Sequence, residues 1–455
     1  MAEKGLHKRA IALLSVLCLL ASTICAPAAE AGTLIRDAEI EHTLRVYADP
    51  IFRAAGLNPA AVHIFVVEDD SINAFVAGGQ NMFLHTGLIE ACDTPQMLLG
   101  VMAHETGHIA GGHIAQGAEK FRHAALGMIL AYVLGAAAAI GNGQAGMAVM
   151  TGGNQVITRS MLAYTRGNEE AADQAALTFL DRLGVSASGM VDMFQLLRRD
   201  EMRAYGSPDP YTLTHPLSAE RIEHVRNHAE QSSLAPGTHP QAYDVMHQRM
   251  LAKLYAFLEM PPKTFARYSQ TDKSIAARMA RAIAWYKIPE IDKALSEMDG
   301  LIAQLPNDPF LYDLKGQMLF ENGHVKEALQ AYRRAAQLLP DSPLILTALG
   351  QTLIAALQIA DAIPVLEKAN ALDNTNAQTW QLLAVAYGKQ GNEGRAALAL
   401  AEEDMLNDDA NGAIQQASRA LLLLKDNTAR LRAEDIKRVA TEMKKDSKSD
   451  NKPLH

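Results

Sequence analysis

A chain of 455 residues is longer than one hydrophobic core usually serves and predicts two or three domains. Its 49% hydrophobic and 20% charged content is that of a globular protein, and sparse aromatics (5%) with plentiful Ala and Leu favour helix. A formal charge of −9, with no basic block outside a short tail, argues against nucleic acid as a partner. Residues 1–31 read as a cleavable export signal. Lys4, Lys8 and Arg9 form the positive region, Ala10 to Ile24 the apolar region, and Ala26-Pro27-Ala28 and Ala29-Glu30-Ala31 the cleavage candidates. Their removal takes away Cys18 and Cys25 and leaves Cys92, so no internal disulfide is available to the exported chain. An acidic, Ala-rich exported chain points to a bacterial periplasm.

Thr33 to Ala55 places Ile35, Ile40, Leu44, Tyr47, Ile51 and Phe52 at helical spacing and predicts an amphipathic packing helix. Val62 to Val67 is a β-branched and aromatic run, read as a strand. Asn73 to Ala77, then Gly78-Gly79, then Asn81 to Leu84 reads as a hairpin. Its edge either holds an extended peptide through backbone hydrogen bonds or is an ordinary covered edge. Thr94 and Pro95 then open a helix as N-cap and first residue, with Met97, Leu98, Val101 and Met102 as its apolar stripe.

The later turns of that helix carry His104-Glu105-Thr106-Gly107-His108. Positions i and i+4 share a helical face, so two imidazoles point at one ion, with Glu105 beside them as general base for a water that the ion activates. On composition alone this pattern is expected about 0.03 times in such a chain. Gly107, Gly111 and Gly112 weaken the helix and allow close approach of another backbone or a substrate. His113 does not fit as a third ligand. In the H-E-x-x-H-x-x-G-x-x-H pattern the last histidine falls six residues after the second, where this chain has Ile114; His113 reads as a packed or surface residue.

Residues 124–141 are nearly uncharged and approach the length of a membrane span. A single crossing would separate the histidines from any ligand downstream, so a buried or lid helix, in peripheral contact with a membrane, is the expectation. Thr165 to Asp173 opens another helix, capped by Thr165 or Asn168. Glu169 and Asp173 share one face: either both are solvated, or Glu169 completes a His₂Glu set and Asp173 accepts the free N–H of a ligand histidine.

His104-Glu105-Thr106-Gly107-His108 followed by Asn168-Glu169-Glu170-Ala171-Ala172-Asp173 resembles the paired motifs of the HtpX-type metallopeptidases, and of their soluble periplasmic, BepA-type branch above all. Asn73-Ala74-Phe75 with Gly78-Gly79, His85-Thr86-Gly87-Leu88, and Thr214-His215-Pro216-Leu217 with Arg221 agree with it. The resemblance covers about residues 33–230. It implies one Zn²⁺ per chain held by His104, His108 and Glu169, with Glu105 as the base. It implies that His215 reaches the metal, takes the place of the water and keeps the enzyme latent; the bland alternative is a loop before a helix near Ser218. Arg221 pairs with Asp173 or Glu169, or steadies an oxyanion. Implied substrates are unfolded or misassembled envelope proteins, outer-membrane ones included, with outer-membrane assembly machinery as a further partner.

Beyond a linker at residues 232–240 the chain repeats. Gly316, Gly350 and Ala384 are 34 apart, as are Ala328, Ala362 and Ala396. That period, with small residues where helices cross, is the tetratricopeptide repeat. Three clear units run between about Ser274 and Glu403, with degenerate flanks to about Lys444, and 445–455 reads as a disordered tail. Such arrays bind peptides or proteins on a concave surface, or pack on the neighbouring domain. The expected fold is thus mainly α: an α+β peptidase domain (32–232) with a small β-sheet and a zinc helix, followed by an all-α tetratricopeptide solenoid (241–444). The expected function is an exported zinc endopeptidase, and the rival is a non-catalytic or latent chaperone or adaptor that binds through its repeats.

Overall fold

The computed structural model describes residues 34–113, 166–203, 211 and 215–450; the segment expected to be an export signal and the apolar segment 124–141 lie outside them. The chain forms two compact units. One contains Pro50–Thr238, and the other contains Arg36–Asp49 together with His239 onward.

In the first unit a four-stranded sheet has the order β1-β2-β4-β3, from β1 (Leu34–Ile35), β2 (His63–Val67), β3 (Ala74–Ala77) and β4 (Asn81–His85). β2 and β4 run parallel, with Phe65 opposite Phe83. β3 pairs antiparallel with β4 in the expected hairpin, whose turn is eased by positive φ at Gly78 (55°) and Gly79 (98°). β3 therefore lies at the end of the sheet among the described residues. A short helix, α2 (Thr86–Ala91), leads to α3 (Pro95–Ala110).

Every residue of α3 from Pro95 to Ile109 is buried. A helix buried on all sides belongs in the middle of a domain, and α3 is enclosed by the sheet, by helix α4 (residues 166–183) and by α5 (Ser188–Arg203). Glycines set these contacts. A Cβ on Gly107 would lie 2.8 Å from the Ala172 carbonyl oxygen in α4. A Cβ on Gly100 would meet Met190, and one on Gly189 would lie 2.3 Å from the backbone of Gln96. The close approach expected at Gly107 is thus made by backbone. Thr94 has the extended geometry of an N-cap (φ −129°, ψ 150°), but its side chain makes no capping hydrogen bond. Asn168, expected as a cap of α4, lies inside the helix; Thr165 is outside the described residues. α6 (Ala219–Gln231) closes the unit, capped by Ser218, whose hydroxyl accepts from the Arg221 N–H.

Two N-terminal expectations need correction. Ile35 is not helical but pairs with Val66 in β1. The helix α1 (Ala38–Ala54) begins later, because the Asp37 carboxylate accepts from the N–H groups of Glu39 and Ile40 at 3.0 Å each. Residues 36–49 also cluster with the repeat unit and not with the peptidase residues. Ala38 packs with Ala335 and Ile345 there, and ion pairs add to it. Lys253, 1% exposed, lies 2.7 Å from Asp37 and 3.5 Å from Glu39, and Arg249 lies 2.6 Å from Glu39 and also pairs with Asp308.

The second unit continues through α7 (Ala242–Leu258) and α8 (Pro261–Arg267) into helix pairs. Four pairs span residues 275–406: α9 (Ile275–Lys287) with α10 (Ile291–Gln304), α11 (Pro309–Glu321) with α12 (Val325–Leu338), α13 (Pro343–Ala355) with α14 (Ile359–Leu372), and α15 (Ala377–Lys389) with α16 (Glu393–Leu406). Three clear units were expected over this range; the first pair supplies the fourth, with buried Ala282 and Ala294 in register. The small residues act as expected: Tyr332 packs across Gly316, and Leu366, 34 residues on, packs across Gly350. α17 (Ala410–Leu423) and α18 (Asn427–Asp450) complete the array. The segment expected as a disordered tail is therefore helical through Asp450, since no Gly or Pro interrupts the chain between Asn427 and Pro453.

Removing one partner of a buried ion pair leaves the other charge uncompensated, at a cost of about 3–5 kcal/mol. Lys253→Met is expected to destabilise the repeat unit by about that amount in urea unfolding. Adding Asp37→Asn, which removes the nearest unmatched charge, is expected to restore most of the loss.

Candidate metal centre

α3 presents His104 and His108 one turn apart, 2% and 8% exposed, with their rings edge to face at 4.8 Å. Because Gly107 lets α4 touch α3, the buried face of α4 brings Glu169 and Asp173 against these rings. His108 Nε2 lies 3.1 Å from His104 Nε2 and 3.3 Å from Glu169 Oε1; His104 Nε2 lies 3.3 Å from Glu169 Oε2. His215 brings a fourth donor. Its Nδ1 lies 3.4 Å from His104 Nε2 and 3.1 Å from Glu169 Oε2.

These four buried residues, His104, His108, Glu169 and His215, each offer one ligand atom within 4.8 Å of the others. Ligands about 2.0–2.1 Å from a tetrahedral ion sit roughly 3.3–3.4 Å apart, by the geometry of zinc sites. The separations of 3.1–3.4 Å match that spacing, and nitrogen with carboxylate oxygen is a donor set that zinc accepts. The residues therefore fit one divalent cation.

Around this group lies a second layer of polar contacts. Asp173 Oδ1 accepts from His104 Nδ1 at 2.9 Å, which turns the His104 Nε2 lone pair toward the other donors. Arg221 was left with three possible roles by sequence, and its geometry selects pairing. Its Nε and Nη2 donate to Asp173 at 2.6 and 2.9 Å, and its Nη1 donates to the Pro216 carbonyl at 2.8 Å and lies 3.0 Å from Glu169 Oε2. All three nitrogens thus face the two acids and the Pro216 carbonyl. The guanidinium also sits over the Phe194 ring, 5.4 Å from its centroid.

The electrostatics treat the two helical histidines differently. Burial opposes protonation of His104, but hydrogen bonds and charge from Asp173 and Glu169 outweigh it and raise its pKa to about 10. Burial pushes the Glu169 carboxyl up, yet hydrogen bonds with His104, His108 and His215 hold it well below the carboxylate range. Burial likewise raises Asp173, and Arg221 and His104 together bring it below its ordinary value. His108 is lowered, chiefly by burial.

Glu105 stands apart. It is 1% exposed, and neither carboxylate oxygen accepts a hydrogen bond among the described residues. His215 Nε2 lies 3.6 Å from its Oε1. Such unpartnered buried oxygens leave lone pairs open to a small molecule beside them.

Sequence reading missed Tyr211. It is 3% exposed, its ring stacks on His215 at 4.5 Å and 29°, and its carbonyl accepts from the His215 N–H at 2.7 Å. A tyrosine four residues before a candidate ligand was the available signal. His113, set aside as a third ligand, stays outside the four-atom group but ends against His108, with the two Nδ1 atoms 3.1 Å apart.

Residues 35–229 match Peptidase family M48, and residues 316–355 match a TPR repeat. The chain is similar to a beta-barrel assembly-enhancing protease of Yersinia pestis, with 28% identity over 81% of this chain and 75% of that protein. The protein of the same name from Escherichia coli K12 is 26% identical over 79% of this chain and 74% of its own length. Metalloprotease LoiP of Escherichia coli K12 is 26% identical over 37% of this chain and 62% of its own length. Among the described residues no helix is long and apolar enough to cross a membrane.

With a pKa of about 10, His104 carries a proton at pH 7 when no cation is bound, and a dication must displace it. The sign follows: from this group alone, zinc affinity falls as pH falls below 10, by up to about tenfold per unit. Calorimetry in buffers of different ionisation enthalpy is expected to show about one proton released per zinc at neutral pH. Buffer-independent heats would contradict it.

Proposed function

Because residues 35–229 form a metallopeptidase domain of family M48, followed by tetratricopeptide repeats, we propose that this zinc metallopeptidase is an exported periplasmic endopeptidase that removes misassembled envelope proteins. The observation that carries the reading is the four-donor group set beside a buried carboxylate with open lone pairs. Its similarity to beta-barrel assembly-enhancing proteases over about four fifths of the chain supports outer-membrane proteins, unfolded or stalled in assembly, as the substrates. In this reading the repeats bind substrate or assembly machinery.

His104, His108 and Glu169 hold one Zn²⁺ per chain. When bound, zinc supplies Lewis acidity toward a water molecule and the scissile carbonyl. Glu105 takes the proton of that water and passes it to the departing amine. Asp173 accepts from His104 Nδ1 and so keeps the lone pair of His104 Nε2 available, and Arg221 holds Asp173 in place. An extended substrate adds as a strand beside β3, through backbone hydrogen bonds that ask only for an unfolded peptide.

A latent form is supported by one specific observation, the position of His215 Nδ1 among the other three donors. Were His215 to hold the ion as a fourth ligand, it would take the place of the water on which Glu105 acts. His215 must withdraw before cleavage, and its stacking on Tyr211 opposes that withdrawal.

Three variants test this reading against a casein-like unfolded substrate. Glu105→Gln is expected to retain zinc and lose activity by about 10²–10⁴-fold, the range of a general base. Glu169→Gln is expected to weaken zinc binding in a chelator competition. His215→Ala is expected to cleave faster than the parent while keeping its zinc. Full cleavage by Glu105→Gln would remove the peptidase assignment and leave the chaperone or adaptor reading.

A further inference from the structure

The end of α3 is built in an unusual way. The helix stops at Ala110, and the Gly111 N–H still bonds to the Gly107 carbonyl at 2.9 Å. Gly112 then takes a φ of +61°, which side chains other than glycine's rarely adopt. This reversal turns the chain so that the His113 ring folds back over Gly111. A Cβ on Gly111 would lie 2.4 Å from His113 Nε2 and 2.8 Å from its Cδ2 and Cε1. The two glycines therefore do separate things: one makes the turn, and the other leaves the space that the ring fills.

The ring comes to rest edge to face with His108, centroids 5.1 Å apart at 79°, with Nδ1 facing Nδ1 at 3.1 Å. His108 Nε2 faces away from it, toward His104 and Glu169. We propose that His113 is a positioning residue that fixes the tautomer and ring orientation of His108 through this Nδ1–Nδ1 hydrogen bond.

The proton count leaves one arrangement. A ligand nitrogen needs a free lone pair, so His108 Nε2 carries no proton and its single proton sits on Nδ1. Two nitrogens 3.1 Å apart bond only if one has a proton and the other a lone pair. His108 Nδ1–H therefore donates, His113 Nδ1 accepts, and the His113 proton sits on Nε2. The arrangement parallels Asp173 at His104: each ligand histidine has its outer nitrogen held by a partner from a different stretch of chain. The inference rests on the proposed ligand role of His108.

Zinc affinity by chelator competition, and the visible spectrum of the cobalt-loaded full chain, test it without reference to activity. His113→Ala is expected to raise the zinc dissociation constant by about 10–100-fold, as loss of an outer-shell partner does, and to change the cobalt spectrum. His113→Asn places an amide oxygen near the position of Nδ1 and is expected to restore both. Gly111→Ala, which denies the ring its space, is expected to resemble His113→Ala. In the background of His108→Ala, His113→Ala is expected to cost nothing further. Unchanged affinity in His113→Ala, or an Asn variant as weak as the Ala variant, overturns the inference. Unchanged affinity in His108→Ala alone overturns instead the ligand assignment beneath it.

Discussion

The absence of a methyl group at Gly107 governs the distance between two helices, and the centre depends on that distance. With backbone against backbone at Ala172, the acidic face of α4 arrives where its carboxylates meet imidazole nitrogens at 2.9–3.3 Å. These are distances at which charge, burial and hydrogen bonding act together. A wider gap would leave Glu169 and Asp173 as buried acids without partners, which is the costly state. Helix contact and polar cluster therefore stabilise each other: the glycine permits the approach, and the ionic contacts hold it closed. Arg221 joins in from the far side, satisfying lone pairs of both acids and tying the loop at Pro216 to them.

Much of this was legible in the residues. A spacing of four on a helix is a statement about direction in space, so His104 with His108, and Glu169 with Asp173, each named a shared face before any coordinate was known. The structure brings those two faces together, and of the two readings open for Asp173, a solvated face or a contact to the free N–H of a histidine, it shows Asp173 accepting from His104 Nδ1. What sequence could not order was the set of Arg221 contacts, because a long flexible cation reaches several acids and only packing against Phe194 and Pro216 selects among them. Tyr211 went unread since stacking between rings on an irregular stretch has no period to detect. The two-residue strand β1 is too short to show alternation, and its neighbour Asp37 gave the only sign that a helix had to start later.

Membership of residues 36–49 was hidden for a related reason. Hydrophobic periodicity tells which face of α1 is buried, and Ile40, Leu44 and Tyr47 are indeed buried, but it does not tell what covers them. The acids Asp37 and Glu39 carry that information, and their partners lie far away in the chain. In the repeats, by contrast, the 34-residue period marks contacts between neighbours, so local sequence was enough to find the Gly316 and Gly350 crossings.

The distant partners of Arg36–Asp49 bear on the order in which this protein is made. Arg36 pairs with Asp373 across 337 positions, and the Tyr47 hydroxyl donates to the Tyr243 carbonyl across 196. A ribosome delivers residues 36–49 first and their partners much later, after the whole stretch between them has been synthesised. The solenoid is complete only when a piece made at the start returns to it. A repeat array released from residue 239 onward would keep its period but carry Arg249 and Lys253 without Glu39 and Asp37 to answer them. In this chain the boundary in space and the boundary in sequence are different objects.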